Sequence, residues 1–228
     1  MATIIHKYKL YGFKNFIKFS YIEINRIIAR HTLKTFSQNK EDLIIENLLT
    51  YKPKSYIDIG SNHPIKFNNT YRFYLSGARG INIEPNRSLI SLYNKLRPRD
   101  NNLNIGVAKK ANIKIFYQLD PDVDSTFSQK QALNKINSGS YLIDKYKVNL
   151  INLQKIFNRY LKNTKIDLLT IDTEGYDYQI IQGNDWSKNR PKIICIEDNS
   201  LAIQSFLISQ DYILKAITNN NSIYLDEK

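Results

Sequence analysis

The chain has 228 residues, 42% of them hydrophobic, with one cysteine, Cys195. That is enough for one domain with a complete core and short for two; a lone cysteine excludes an internal disulfide framework and fits a reducing, cytoplasmic compartment. Half of the net charge of +12 lies in residues 1–36, where Lys7, Lys9, Lys14, Lys18, Arg26, Arg30 and Lys34 face Glu23 alone, so the rest of the chain is only mildly basic and a broad nucleic-acid-binding surface is not expected.

In chain order, residues 1–36 are read as a basic N-terminal helical extension and 37–228 as the main domain. The start, MATIIHKYKLYGFKNF, has no apolar core of the secretory kind, and no stretch reaches the ~18 apolar residues of a membrane span. Apolar residues interleave with the N-terminal cations, which fits a helix packed on the domain with solvated lysines or one resting peripherally on an anionic membrane. "EDLIIENLLTY" has helical spacing. "KSYIDIG" reads as a buried strand, "NNTYRFYLSGA" as a short helix, "RGINIEPN" as a strand stopped by Pro85 and "RSLISLYNKLRP" as a helix stopped by Pro98. "NLNIGVA" and "NIKIFYQL" read as strands, "DPDVDSTFS" as a turn-rich loop and "LINLQKIFNRYL" as a helix. "KIDLLTID" and "PKIICIE" are near-continuous apolar strands flanking a helical turn, "YDYQIIQG". "SLAIQSFLISQ" is a helix, and "DYILKAI-TNNN-SIYLDE" has the pattern of a hairpin.

Apolar strands alternating with helices predict a mostly parallel sheet covered on both faces, with one antiparallel strand from the closing hairpin. Ligands of such sheets bind outside the carboxyl ends of the strands. Asp58, Glu84, Asp172 and Glu197 all lie at such ends. A single acid there is as readily a cap or an ion pair; four at corresponding positions point to a site. An acid ending the second strand suits a ribose diol, and Gly60 lets backbone approach closely. Asp58 either holds the loop or reaches a cationic amino-acid group. "DIGSNHP" lacks G-x-G-x-x-G, and no G-x-x-x-x-G-K-[ST] loop occurs, which disfavours dinucleotides and nucleoside triphosphates. S-adenosylmethionine has a ribose, no phosphate and a positive charge, and it fits a rim of carboxylates.

The segments "SQNKEDLIIENLL", "YIDIGSNHPIKFNNTYRFYLSGARGINIEPN", "RPRDNNLNIGVA", "DSTFS", "IDLLTIDTEGYDYQIIQG", "RPKIICIED" and "NNNSIYL", in this order, resemble the FkbM-type S-adenosylmethionine-dependent methyltransferases over residues 36–225. Many members follow "DIGAN" with a glycine; here Asn62-His63-Pro64 follows instead. The resemblance implies a class I methyltransferase (Rossmann-like) α/β fold with a seven-stranded sheet and helices on both faces. It implies that Asp58, Gly60, Ser61 and Asn62 line the cofactor's methionine and ribose. Glu84, with Pro85 and Asn86, binds the ribose diol, and Asp100, Asn104 and Gly106 approach the adenine. The implied activity is O-methylation of a hydroxyl, often on a sugar of a glycan, glycolipid or activated small molecule.

Such an acceptor needs a base or a metal to take or polarise its proton. Asp172 and Glu174 are the candidates, with His63 weaker, since a loop histidine is more often bonded to backbone. With Glu197, these acids also offer oxygen ligands for Mg or Mn. Arg97 and Arg99 read as a phosphate-attracting or solvated turn, Tyr71, Phe73 and Tyr74 as core rather than a stack for an acceptor sugar, Trp186 as a packing anchor, and "DPDVDSTFS", too poor in ligands for calcium, as an active-site loop over the cofactor. The alternative is a nucleic-acid-binding protein or RNA methyltransferase using the basic N-terminus, against which "IDTEGYD" is not a base-methylation signature.

Overall fold

The computed structural model describes residues 35–161 and 165–228. The expected N-terminal extension therefore lies, but for its last two residues, outside the described residues. In chain order the elements are α1 (Glu41–Leu48), β1 (Ser55–Ile59), α2 (Tyr71–Leu75), β2 (Arg79–Ile83), α3 (Arg87–Leu96), β3 (Asn101–Leu103), β4 (Gly106–Val107) and β5 (Asn112–Asp120). A 3₁₀ turn (Asp122–Asp124), α4 (Gln129–Asn137), β6 (Tyr141–Ile151), α5 (Leu153–Tyr160), β7 (Leu168–Ile171) and α6 (Asp177–Ile181) follow. The chain closes with β8 (Ile193–Ile196), α7 (Leu201–Ser209), β9 (Tyr212–Ile217) and β10 (Ser222–Asp226).

Seven strands form the main sheet in the order β3-β2-β1-β7-β8-β10-β9. Neighbours run parallel except β10, which is antiparallel to both β8 and β9. Strands buried on both faces must be apolar on both, and the side-chain alternation divides them into two cores. Ile57, Ile59, Ile81, Ile83, Leu169, Ile171, Ile194 and Ile196 pack with Ile156, Phe157, Ile180, Ile203 and Leu207 of α5, α6 and α7. Tyr56, Leu168, Ile193, Cys195 and Ile223 pack on the other face with Ile45, Leu49, Phe73 and Tyr74. Phe73 and Tyr74 are core as expected, and the indole of Trp186 is buried with its Nε1 donating to the Ile181 carbonyl at 2.8 Å.

Four differences from the sequence reading matter for function. The segment "NLNIGVA" is not one strand: it splits into β3 in the main sheet and β4 in a second sheet of order β4-β6-β5. "NIKIFYQL" joins that second sheet as the partner of β6, antiparallel from Asn112↔Leu150 to Asp120↔Tyr141. Neither β6 nor α4 was expected. Leu150 and Ile151, assigned to a helix, instead end β6, and Asn152 caps α5 by accepting from the Lys155 amide.

Arg97, expected at a basic turn, is fully buried. Its Nε donates to Pro64 O at 2.8 Å, Nη1 to Thr70 Oγ1 at 2.8 Å and Asn82 Oδ1 at 3.3 Å, and Nη2 to Asn68 Oδ1 at 2.5 Å. It follows α3 and faces inward under the aromatic rings of Tyr71, Tyr74 and Tyr93, 5.1, 5.6 and 5.2 Å from its guanidinium carbon. It is a structural arginine whose donors are taken by protein acceptors.

The edge of the sheet is pinned nearby. Asp100 accepts from Tyr56 OH at 2.6 Å and from the Gly80 amide at 2.8 Å. A Cβ built on Gly80 would lie 1.8 Å from a ring carbon of Tyr56. Gly80→Ala is therefore expected to lower stability by about 1–3 kcal/mol through overpacking. The urea midpoint should fall with little change in slope; an unaltered midpoint would show that the ring moves aside freely.

Candidate active site

The strand register builds the site. Ile83, Ile59, Ile171 and Ile196 are cross-strand partners in turn. The next residues, Glu84, Gly60, Asp172 and Glu197, therefore line up along the carboxyl rim of β2, β1, β7 and β8. Backbone bonds extend the ladder by one step: Gly60 N to Ile83 O at 2.9 Å, Asp172 N to Ile59 O at 2.9 Å and Glu197 N to Ile171 O at 3.0 Å. Three of the four expected acids thus share one edge.

The glycine has a protein reason. Gly60 takes φ +74, and a Cβ there would fall 1.7 Å from the Asp172 carbonyl oxygen. The close approach is between two parts of the chain: the first loop and the Asp172 loop touch at Gly60. From there Ser61 O accepts from Tyr93 OH at 2.7 Å and Asn68 Nδ2 at 3.2 Å. The Asn62 amide donates to Glu84 Oε2 at 2.9 Å, with Asn62 itself at φ 45. Glu84 Oε1 accepts from the Asn86 amide at 2.8 Å, while Asn86 Oδ1 caps α3 through the Ser88 amide at 3.0 Å. Asn104 Nδ2 bridges the carbonyls of Glu84 and Pro85 at 3.0 and 2.8 Å. Glu84, Pro85, Asn86, Asn104 and the Gly60–Asn62 turn are one connected group.

Other expected site residues lie elsewhere. Asp58, inside β1, shares the sheet face of Tyr56 by strand alternation. Its Oδ2 accepts from Thr70 Oγ1 at 2.7 Å and Asn68 Nδ2 at 3.2 Å, so it holds the loop from below. Burial raises its pKa against the pull of Thr70, Arg97 and Asn68. Asp100 precedes β3 and pairs at the level of Gly80, so it sits at the strands' amino end, at the opposite end of β2 from Glu84. Gly106 belongs to β4, under the ring of Phe127, where a Cβ would meet Cζ at 3.0 Å. His63 Nδ1 accepts the amides of Ile65 and Lys66, both at 3.1 Å, and caps the following turn with that nitrogen.

On the Asp172 side the backbone turns sharply. Glu174 has φ 53 and Gly175 φ 100, and Asp177 fixes them by accepting the amides of Thr173 and Gly175, both at 3.2 Å. A non-glycine residue at positive φ is strained and has to be held. The turn brings Glu174 back, so that one oxygen from each of Asp172, Glu174 and Glu197 lies within 4.8 Å of the others. Desolvation, then the hydrogen bond and charge of Glu197, push Asp172 well above the usual carboxylate range. Desolvation and Glu197 also raise Glu174, while Lys135 of α4 pulls it down. Such a trio is relieved by a shared proton or by a hard cation.

Sequence reasoning expected the "DPDVDSTFS" loop at the site but singled out neither Asp122 nor Tyr146. Asp122 accepts from Asn86 Nδ2 at 3.1 Å and sets the "DPDVDSTFS" loop against the Glu84 group. Tyr146 of β6 donates to Pro85 O at 3.1 Å under the Arg87 guanidinium, 3.8 Å above its ring. The period-two run Tyr146, Val148, Leu150 was the available signal.

A seven-stranded sheet in this order, with acids along its carboxyl rim, is the architecture of a class I methyltransferase. The family described as methyltransferase FkbM domain matches residues 58–221, and the chain belongs to that family. It is a methyltransferase family, which implies S-adenosylmethionine as methyl donor. No curated protein matches the sequence. Among solved structures, a methyltransferase FkbM from Methylobacillus flagellatus KT is 13% identical with a TM-score of 0.49, over 78% of this chain and 45% of that one. The chain thus spans less than half of that protein's length. A precorrin-6y C5,15-methyltransferase from Geobacter metallireducens GS-15 is 12% identical with a TM-score of 0.38, over 84% of this chain and 89% of that one. No residue role follows from either likeness. The residues themselves fit the donor: Ser61 Oγ is buried without a hydrogen-bond partner, next to the amide that Glu84 holds. Among the described residues, no helix is long and apolar enough to cross a membrane.

Burial pushes Glu84 from 4.5 up to about 7, against the pull of the Asn86 and Asn62 amides. Its folded value lies above its unfolded one, so the native state binds the extra proton between these values. Stability should fall as pH rises through that window. Comparing denaturant midpoints at about pH 5 and about pH 8, Glu84→Gln should remove part of the loss, on the order of 3 kcal/mol at most. It should also lower stability at both, because one amide loses its acceptor. The same pH difference in wild type and variant would show that Glu84 is ionised throughout.

Proposed function

We propose that the protein transfers a methyl group from S-adenosylmethionine to a hydroxyl of a sugar, in a sugar nucleotide, a surface glycan or a glycolipid precursor. The observation that supports this most is the convergence of Asp172, Glu174 and Glu197 at the rim, with the Asp172 carbonyl against the Gly60 turn. Glu84 receives the ribose diol: a carboxylate has about four acceptor positions, and two amides fill two of them. Gly60, Ser61 and Asn62 run along the amino-acid part, Ser61 through its unpartnered Oγ.

S-adenosylmethionine supplies a methyl group already activated on a sulfonium. The chain must align an alcohol with it and take that alcohol's proton. Glu174 is the base. Its proton affinity is raised toward working pH, yet Lys135 keeps its charged form accessible. Asp172 has its proton affinity raised by burial and by its hydrogen bond to Glu197, and this pair positions the acceptor.

Titration with S-adenosylhomocysteine should show saturable binding that Glu174→Gln and Asp172→Asn leave within a few-fold. Turnover on a sugar acceptor should fall by roughly 10²–10⁴-fold in Glu174→Gln, and less in Asp172→Asn, whose amide mimics a protonated acid. The reverse order would make Asp172 the base. Turnover that needs magnesium or manganese and is abolished by chelator would assign the acids to a cation instead. A folded protein that ignores S-adenosylhomocysteine would end the reading.

A further inference from the structure

Beside the acid turn, between β5 and α6, lies a cavity of about 310 Å³. Its wall includes Lys109, Lys110, Asn112, Lys114, Tyr176 and Gln179; among the described residues it contains three lysines and no carboxylate. Two of the ammonium groups have neutral partners. Lys114 Nζ donates to Tyr176 OH at 2.5 Å and lies 4.8 Å from the centre of its ring, and Lys109 Nζ donates to Gln182 Oε1 at 3.2 Å. Neutral partners fix a direction without cancelling charge. Three lysines and no carboxylate around one concave space give it a positive potential, which favours an anion there.

Tyr176 connects the cavity to the acids. It follows Glu174 by two residues, in the turn that Asp177 fixes. Its ring packs on Phe127, with centroids 6.0 Å apart, and Phe127 belongs to the loop that follows the 3₁₀ turn. Tyr176 is thus shared: it lines the cavity and lies in the turn that carries Glu174, so a ligand with a hydroxyl at Glu174 would meet the lysines past the Tyr176 ring.

We propose that the acceptor carries phosphate, and that Lys109, Lys110 and Lys114 bind it in this cavity beside Tyr176. Phosphate suits the site better than a carboxylate, because three separate ammonium donors match a group with several charged terminal oxygens. The proposal rests on the methyltransferase reading, whose acceptor it narrows to a phosphorylated sugar: a sugar phosphate monoester or a diphosphate-linked sugar.

The test is calorimetry on the full chain saturated with S-adenosylhomocysteine, using glucose 1-phosphate, UDP-glucose, inorganic pyrophosphate and methyl glucoside as probes. At least one phosphorylated probe should bind at least tenfold more tightly than methyl glucoside, and more weakly as salt is raised. Monoester against diphosphate preference separates the two sources. Lys110→Glu, at an exposed position, should weaken that binding at least tenfold while affinity for S-adenosylhomocysteine stays within twofold. Lys114→Gln is the second variant and should act the same way. Equal binding of neutral and phosphorylated probes would overturn the proposal, as would phosphate binding indifferent to both variants. So would binding of S-adenosylhomocysteine with no phosphorylated probe bound. Phosphate binding without S-adenosylhomocysteine binding would break the methyltransferase reading and with it the assignment of the cavity to an acceptor.

Discussion

A carboxylate buried inside β1 is the constraint on which the site depends. Asp58 is buried on the sheet face that packs against α1 and α2, where an uncompensated charge costs several kcal/mol. Its compensation comes from Thr70, Asn68 and the charge of Arg97. Arg97 is itself fully buried and spends its donors on Pro64, Thr70, Asn82 and Asn68. Asp58 and Arg97 meet through Thr70 and Asn68, so removing either would leave buried partners of the other unsatisfied. Because these partners come from β1, β2, the end of α3 and the segment after β1, satisfying them fixes four pieces of chain at once. The polypeptide from Ser61 to Thr70 then has one place to lie, and the Asn62 amide meets Glu84 as a result.

The rim inherits that rigidity and adds strain of its own. Gly60 is fixed from below by the Asp58 network and from the side by the Asp172 carbonyl. The Asp172 loop is in turn bent by a left-handed Glu174, which Asp177 stabilises through two backbone amides. Strain of this kind is kept where the surrounding bonds over-determine it. Each of the two loops therefore constrains the other.

Much of this was legible in the sequence because parallel strands buried on both faces must be apolar runs, and an acid ending such a run stands out. Asp172, Glu84 and Glu197 were found in that way, and the closing hairpin marked the antiparallel strand. Depth was what failed for Asp58: two residues earlier than the rim row, it pairs beside Asn82 and Thr170 and lies within the strand rather than at its end. Asp100 looked close to the rim only because the length of β3 was unknown. The second sheet escaped because its strands are half solvated. Tyr146, Val148 and Leu150 face inward, while Lys145, Lys147 and Asn149 face water. Helix α4 buries Ala132 alone, so it has no apolar stripe to read.

The overlooked helix bears on the chemistry. Two neighbouring acids serve acid–base work only when their surroundings push their proton affinities apart. Desolvation acts on both Asp172 and Glu174, and so does Glu197. What separates them is that every principal influence on Asp172 favours its protonated form, whereas Glu174 also feels Lys135. Lys135 is aimed by its ion pair with Asp124 at 2.7 Å, and Asp124 is held by Ser140 Oγ at 2.6 Å. The segment from the 3₁₀ turn through α4 thus adds little to the core, but it places Lys135 where its charge lowers the proton affinity of Glu174 and not that of Asp172, the difference on which the proposed base role rests.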